Sequence, residues 1–372
     1  MPDDGKDRDG PNQVVARVGD ASRQPFSPQV EVGKGRGDPS AERAQAVNIA
    51  LSRFSFDFLM GLQQASHDAI GLRLCGYLFL ATTEEQAERL AIRTRTVEAA
   101  GGQVRRHDRQ SLASAYPWMV TQDVVCGYEG VAGEGWFDGY SVLQALRTDA
   151  RARGARTVVA QASSITLQGG RARGVKLADG TRIDADQVLI AAGPWSRSIA
   201  ATAGLDLPVH ARRRSVFLFD SPELLETLPV LIDGNGVFVR RDGTGFLTIV
   251  SPEADNDLDD LPLDPDYSLF EDRIWPTLAA RIPVFERLRV RRSWAGYYEY
   301  NPIDHNGIVG LTSVDDLYVA SGFSGHSLMH CAGVGRGIAE LMTAGAYSTL
   351  DLRPLRPQRF DVGDLVLEEA IY

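Results

Sequence analysis

The chain has 372 residues, 44% of them hydrophobic and 24% charged, the composition of an ordinary folded protein, which excludes a wholly disordered, collagenous or coiled-coil chain. Two or three domains of about 100–200 residues can each bury a core at this length without disulfide or metal staples. Thirty-nine Lys and Arg against 49 Asp and Glu leave a net charge of −10, so no global field draws the chain to nucleic acid or to anionic lipid.

Residues 1–41 hold ten apolar and thirteen charged residues with neither a helical nor a strand period, and are expected to form a disordered leader. From Val47 a helical pattern runs through Ala50, Leu51, Phe54, Phe58 and Leu62, followed by a strand at 72–81. Residues 83–101 form the next helix, with Glu84 and Glu85 in its first turn and Gly101 and Gly102 as its stop. A strand at 124–131, a helix at 140–153 closed by Gly154, and strands at 157–167 and 174–177 follow. The short apolar run 188–192 enters Gly193-Pro194-Trp195 and a helix, as a buried parallel strand does. Strand-rich segments at 215–219, 236–241 and 245–250, an acidic loop around 255–260 and a helix at 266–281 then indicate a second, mixed-sheet domain. The chain returns through a strand at 317–320, a glycine-rich turn and a long helix at 327–343.

Cys75, Cys126 and Cys331 are odd in number and lack C-x-x-C spacing. This argues against a disulfide framework or structural zinc and points to a reducing compartment, the cytoplasm. No apolar run approaches the roughly 18 residues of a membrane span, and the opening resembles neither a signal nor a transit peptide.

The turn Ser321-Gly322-Phe323-Ser324-Gly325-His326-Ser327 takes a strand through two glycines into a helix. Such a turn offers free N–H groups and a helix dipole to an anionic or polar ligand; a tight turn with no ligand is the plainer account. Gly322-Phe323-Ser324 begins a nucleophile elbow, but His326 stands where G-x-S-x-G needs its second glycine. His326 and His330, with Cys331 adjacent, have zinc-like spacing without the glutamate of the metalloprotease signature, so no metal is expected. In the aromatic strand 291–300, Arg292, Trp294 and Tyr298 share one face. That face either lines a cavity, to which it offers phenol donors and a cation, or simply covers a sheet. Arg212, Arg213 and Arg214 read as a solvated charge cluster.

Four segments in fixed order resemble the flavin-dependent amine oxidoreductases of the D-amino-acid oxidase and sarcosine oxidase type: Glu134-Gly-Trp-Phe-Asp138, Val188-Leu-Ile-Ala-Ala192-Gly193-Pro194-Trp195-Ser196, Trp294 through Gly307, and Ser321 through His326. Residues 270–283 followed by the Trp294 block look most like the FAD-dependent oxidoreductase domain-containing protein 1 group, whose mitochondrial members assist respiratory complex I assembly.

The resemblance spans residues 42–372 and implies an α/β fold. In it, an FAD-binding doubly wound domain (42–66, 132–206, 300–352) accompanies a mixed β-sheet substrate domain (67–131, 207–299), with 353–372 as a C-terminal tail. It implies that Ala192, Gly193, Trp195 and Ser196 border a non-covalent FAD, that Gly322, Phe323, Ser324, Gly325, His326 and Ser327 touch its ring, and that His326, Tyr298 and Arg292 are catalytic candidates. The implied reaction is oxidation of an amine or N-methyl amino acid, with a non-catalytic assembly or scaffold role, and a protein partner, as the alternative. Two departures stand out. The expected G-x-G-x-x-G loop is missing, Gly33-Lys-Gly35-Arg-Gly37-Asp38 being the nearest approach, so an N-terminal βαβ unit is expected to be lost. Met329 stands where sarcosine-type oxidases often carry a lysine for the substrate carboxylate.

Overall fold

The computed structural model describes residues 25–26, 39–66, 69–253 and 256–368. The expected leader and the Gly33–Asp38 segment therefore lie outside the described residues, apart from Pro25–Phe26, which pairs antiparallel with Gly135–Trp136, and the first turn of the helix Pro39–Ala65.

An eight-stranded mixed sheet dominates, in the order Arg289–Tyr300, His210–Asp220, Gly245–Ile249, Phe238–Asp242, Val230–Ile232, Tyr77–Ala81, Cys126–Gly130, Val104–His107. Alternation along its strands makes two cores. Phe217 and Phe219, with Leu78, Leu80 and Phe246, face the helical segment carrying Phe270, Ile274, Leu278 and Phe285. Val216, with its cross-strand neighbour Trp294 and with Tyr77, Phe79, Ile232 and Leu247, faces the other way, towards Leu90. A smaller sheet places Leu317–Ser321 between Val188–Ile190, parallel, and Ile308–Leu311, antiparallel. The helix Pro39–Ala65 packs on the helix Ser327–Ala344 that follows that sheet.

Three expected elements differ. The strand expected at 72–81 breaks into Arg73–Leu74 and Tyr77–Ala81, which belong to different sheets. Gly76 between them has φ +73°, a left-handed turn that a side chain would block, since a Cβ there would lie 2.6 Å from the Gly130 carbonyl oxygen. The strand expected at 157–167 begins only at Ala162; residues 157–160 are β-branched in part, but a strand also needs a ladder partner, and among the described residues none pairs with them. The helix expected at 266–281 contains a π-helical turn at Phe270–Ile274 before Trp275–Arg281; Pro276, without an N–H, accounts for the widened turn.

The segment set apart as a tail is packed. Arg359 and Asp304, both fully buried, form a two-bonded ion pair at 2.7 and 2.8 Å, and Glu368 accepts a 2.6 Å bond from Asn48.

Candidate functional site

The strand Leu317–Ser321 leaves the small sheet through Gly322 (φ +74°), Ser324 (φ +49°) and Gly325 (φ +100°) into the helix beginning at Ser327. Two bonds seal this turn onto the edge strand of the large sheet. The Ser324 N–H donates to the Glu299 carbonyl at 2.9 Å, and the Asn301 N–H donates to Ser324 Oγ at 3.0 Å. Ser324 is thus a structural residue, and the nucleophile-elbow reading has no support in its contacts.

Glu299 fills the turn. Its buried carboxylate accepts the Ser321 hydroxyl at 2.7 Å and further bonds from the Gly322 and Phe323 N–H groups and the Ser327 hydroxyl. Desolvation by burial pushes the Glu299 carboxyl above its ordinary value, and the Ser321 bond and the N–H donors pull it partway back. In place of the anionic or polar ligand that such a turn can hold, an internal carboxylate uses these donors. The one available signal was an acidic residue inside an aromatic strand.

Beside Glu299, Tyr298 projects from the other face of the strand. Its ring carbons lie 3.6 and 3.9 Å from where a Cβ on Gly325 would stand. The Arg214 guanidinium stacks over that ring at 4.2 Å and donates to its hydroxyl at 2.8 Å. Arg214 also grips Asp257 with two bonds, at 2.7 and 3.0 Å. Burial, chiefly, raises the Tyr298 phenol to about 12, so it remains a donor at neutral pH. Arg212 lies over Tyr300 and pairs with Asp259, which also bonds His210.

The remaining predicted residues divide. Ala192, Gly193 and Ser196 lie at the end of Val188–Ile190, next to the turn: the Ser321 hydroxyl also reaches the Gly193 carbonyl at 3.0 Å. Trp195 is 48% exposed, and its ring and that of Tyr297 meet edge to face. Gly325 and Ser327 face the same region from the turn. Phe323, in contrast, turns its ring into the core, where it would meet a Cβ on Gly307 at 2.5 Å, so only its backbone belongs to the site. His326 is buried at the helix N-terminus, with Nδ1 3.3 Å from the Phe323 carbonyl oxygen and its ring stacked on His330; its side chain does not cap the helix. His330 bonds Ser52 at 3.0 Å, and burial, then the neighbouring His326, drives its pKa well below the ordinary value. No group of three or more His, Cys, Asp or Glu among the described residues could hold a metal ion.

Two readings need correction. Arg292 is exposed, lies over Trp294, and is six positions, ~20 Å, along the strand from Tyr298; the cation at Tyr298 is Arg214. Arg212, Arg213 and Arg214 are not solvated but half-buried and paired with Asp259, Asp266 and Asp257. Met329 packs among Leu59, Phe137 and Val142, so a lysine at this position would bury its ammonium rather than reach a substrate.

Comparison with known proteins gives this geometry its context. The sequence pattern of the DAO family, FAD dependent oxidoreductase, matches residues 26–341. The chain belongs to this family. It is 33% identical over 363 residues to FAD-dependent oxidoreductase domain-containing protein 1 of Xenopus laevis, covering 87% of this chain and 72% of that protein. It is 25% identical to 4-methylaminobutanoate oxidase (formaldehyde-forming) of Paenarthrobacter nicotinovorans, over 82% of this chain and 38% of that one. Its fold is similar to that of L-proline dehydrogenase from P. horikoshii, with a TM-score of 0.79 at 22% identity, covering 95% of this chain and 92% of that one. Among the described residues no helix is long and apolar enough to cross a membrane.

The family's FAD fits the ring end of the site. The Ser196 hydroxyl is buried without a hydrogen-bond partner, and thus has a bond left for a group the chain does not supply. Exposed Trp195 and side-chain-free Gly325 leave a surface that a flat ring can cover. Gly193, Trp195 and Ser196 on one side, and Gly325 and Ser327 on the other, are the residues that would hold it.

Proposed function

We propose that the protein oxidises a small amino acid or N-methyl amine, with FAD, when bound, accepting a hydride from the C–H beside the nitrogen. The observation that carries this reading is the Tyr298 ring against Gly325: a substrate-facing strand of the large sheet meets the turn that the family resemblance assigns to the flavin. The protein's own part is positioning and charge. Arg214 donates to the Tyr298 oxygen, which leaves the phenol hydrogen for a ligand. With that phenol neutral up to about pH 12, Tyr298 orients substrate as a donor and does not take up a proton. The amine or amino-acid chemistry in the names of the relatives supports the substrate class.

The test is an absorption spectrum of the purified chain followed by anaerobic addition of candidate amines. Bands near about 380 and 450 nm are expected of a bound oxidised flavin, and at least one secondary amino acid should bleach the longer-wavelength band. A coloured protein that no amine or amino acid bleaches would remove the enzymatic reading.

A second reading, a non-catalytic assembly or scaffold protein with a respiratory-complex partner, is favoured by one observation. The N–H groups of Gly322 and Phe323 are already satisfied by Glu299, so the turn holds together without a ligand. A folded, colourless protein that stays colourless when incubated with FAD is the outcome this reading expects.

A further inference from the structure

We infer that Asp257 is an internal stand-in for a substrate carboxylate, seated on Arg214 beside Tyr298 and displaced when a carboxylate-bearing substrate binds. The inference rests on the reading of this face as the substrate site and specifies its substrate class.

The seat and its occupant differ in rigidity. Arg214 belongs to His210–Asp220 and Tyr298 to Arg289–Tyr300, neighbouring strands paired along their whole length. Asp257 lies outside the named helices and strands, between Gly245–Ile249 and the helical segment beginning at Tyr267. Both of its neighbours, Asn256 and Leu258, are exposed, while its own side chain is 17% accessible and Arg214's is 12%. The carboxylate therefore dips from a surface segment onto a guanidinium held by the sheet.

The bond pattern matches the chemistry of an external ligand. Two near-parallel bonds from one guanidinium, at 2.7 and 3.0 Å, are the fork geometry by which arginine takes any carboxylate, and the planar fork loses little freedom in doing so. Arg214 also donates to Tyr298, whose ring borders Gly325, so a carboxylate in Asp257's place would sit one side chain away from the turn.

Charge counting gives the same direction. Around the seat, Arg212 and Arg214 face Asp257 and Asp259, with His210 on Asp259. Withdrawal of Asp257 removes one negative charge from this group, and one bound monocarboxylate restores it. The exchange replaces one fork of hydrogen bonds by another. Its main cost is the release of residues 256–260, held by the Asp260 N–H bond to the Ala211 carbonyl at 3.0 Å and by the Asp259 contacts. An amine without a carboxylate has nothing to exchange, so Asp257 should leave its binding unaffected.

The experiment is calorimetric titration of the full chain and of Asp257→Ala with acetate, L-proline and pyrrolidine, which is L-proline without its carboxylate. Asp257→Ala should tighten acetate and L-proline by tenfold or more and leave pyrrolidine unchanged. Unchanged or weaker carboxylate binding in a folded variant, or equal gains for pyrrolidine, would overturn the proposal. Should Asp257→Ala not fold, hydrogen exchange on the unmodified chain decides. Saturating acetate should accelerate exchange at the Asp260 amide, and bound acetate with that amide still protected would refute displacement. Neither readout uses turnover. Tighter carboxylate binding without flavin bleaching would leave this inference standing and the oxidoreductase reading fallen, and bleaching with no effect of Asp257 would do the reverse.

Discussion

The Glu299 carboxylate and the Ser321 hydroxyl are 2.7 Å apart, and their bond fastens the edge strand of the large sheet to the last residue of the central strand of the small one. Burial raises the Glu299 carboxyl above its ordinary value of 4.5, so the folded chain holds this proton to a higher pH than the unfolded chain does. The associated stabilisation is fully present below pH 4.5 and is lost as pH rises through the folded value, at up to about 1.4 kcal/mol per pH unit. Melting temperatures from pH 4.5 upward should show that decline in the native chain and a flatter curve in Glu299→Gln. Identical slopes in both would exclude Glu299 as the titrating group.

What could be read from the sequence was what is decided locally. The helix Glu84–Ala99 announces itself through Glu84 and Glu85 in its first turn and through left-handed Gly101 just past its end. The glycines of the turn before Ser327 likewise state their own geometry. Contacts made across the chain leave no such mark: Arg214 finds Asp257 forty-three positions on, Arg213 finds Asp266 fifty-three on, and Glu299 finds Ser321 twenty-two on. Three adjacent arginines therefore read as solvated. A buried glutamate in an aromatic strand passes for one more alternating residue, and Arg292, on the same strand face as Tyr298, cannot be told from a site residue until the strand's position is known.

His330 should impose an acid limit on stability. It is buried against Ser52 with its pKa well below the ordinary 6.5, burial being the larger cause and His326 the second. Below pH 6.5 the unfolded chain takes up a proton there that the folded chain refuses, so stability falls as pH falls, by up to about 1.4 kcal/mol per unit. His330→Gln keeps a polar partner for Ser52 and does not titrate. Its melting curve between pH 6.5 and 5 should fall less steeply than that of the native chain, and a parallel fall would assign the acid limb to other groups.

Gly322 and Gly325 should separate stability from flavin retention. Both have left-handed backbones, for which a non-glycine residue costs of order 1–3 kcal/mol. A Cβ on Gly322 would also press on Val209 at 3.2 Å, while on Gly325 it would make ordinary contact with Tyr298 at 3.6 Å. Gly322→Ala is therefore expected to lower the melting temperature more than Gly325→Ala. Gly325→Val should reduce the absorbance retained near about 450 nm more than it reduces melting temperature, because its bulk enters the space beside Tyr298. Equal thermal losses for the two alanine variants would mean that backbone conformation alone sets the cost.

The ion pair between Arg359 and Asp304 should be the strongest single fastening of the C-terminal segment. Both side chains are fully buried, and Asp304 also accepts bonds from Asn301 at 2.6 Å and from the Val366 N–H at 3.1 Å. Arg359→Met removes the cation and leaves the carboxylate buried among the remaining donors, which costs about 3–5 kcal/mol where one partner of a buried pair is deleted. Urea denaturation should show a loss of that size. Combining Arg359→Met with Asp304→Asn removes the stranded charge and should recover part of the loss, since Asn keeps an acceptor for Asn301 or Val366 and carries no charge to desolvate. A double variant as unstable as the sum of the two single variants would show that the pair does not act as a unit. Because Asn301 also donates its backbone N–H to Ser324, the single variant is further expected to loosen the turn, read as faster hydrogen exchange at the Asn301 amide.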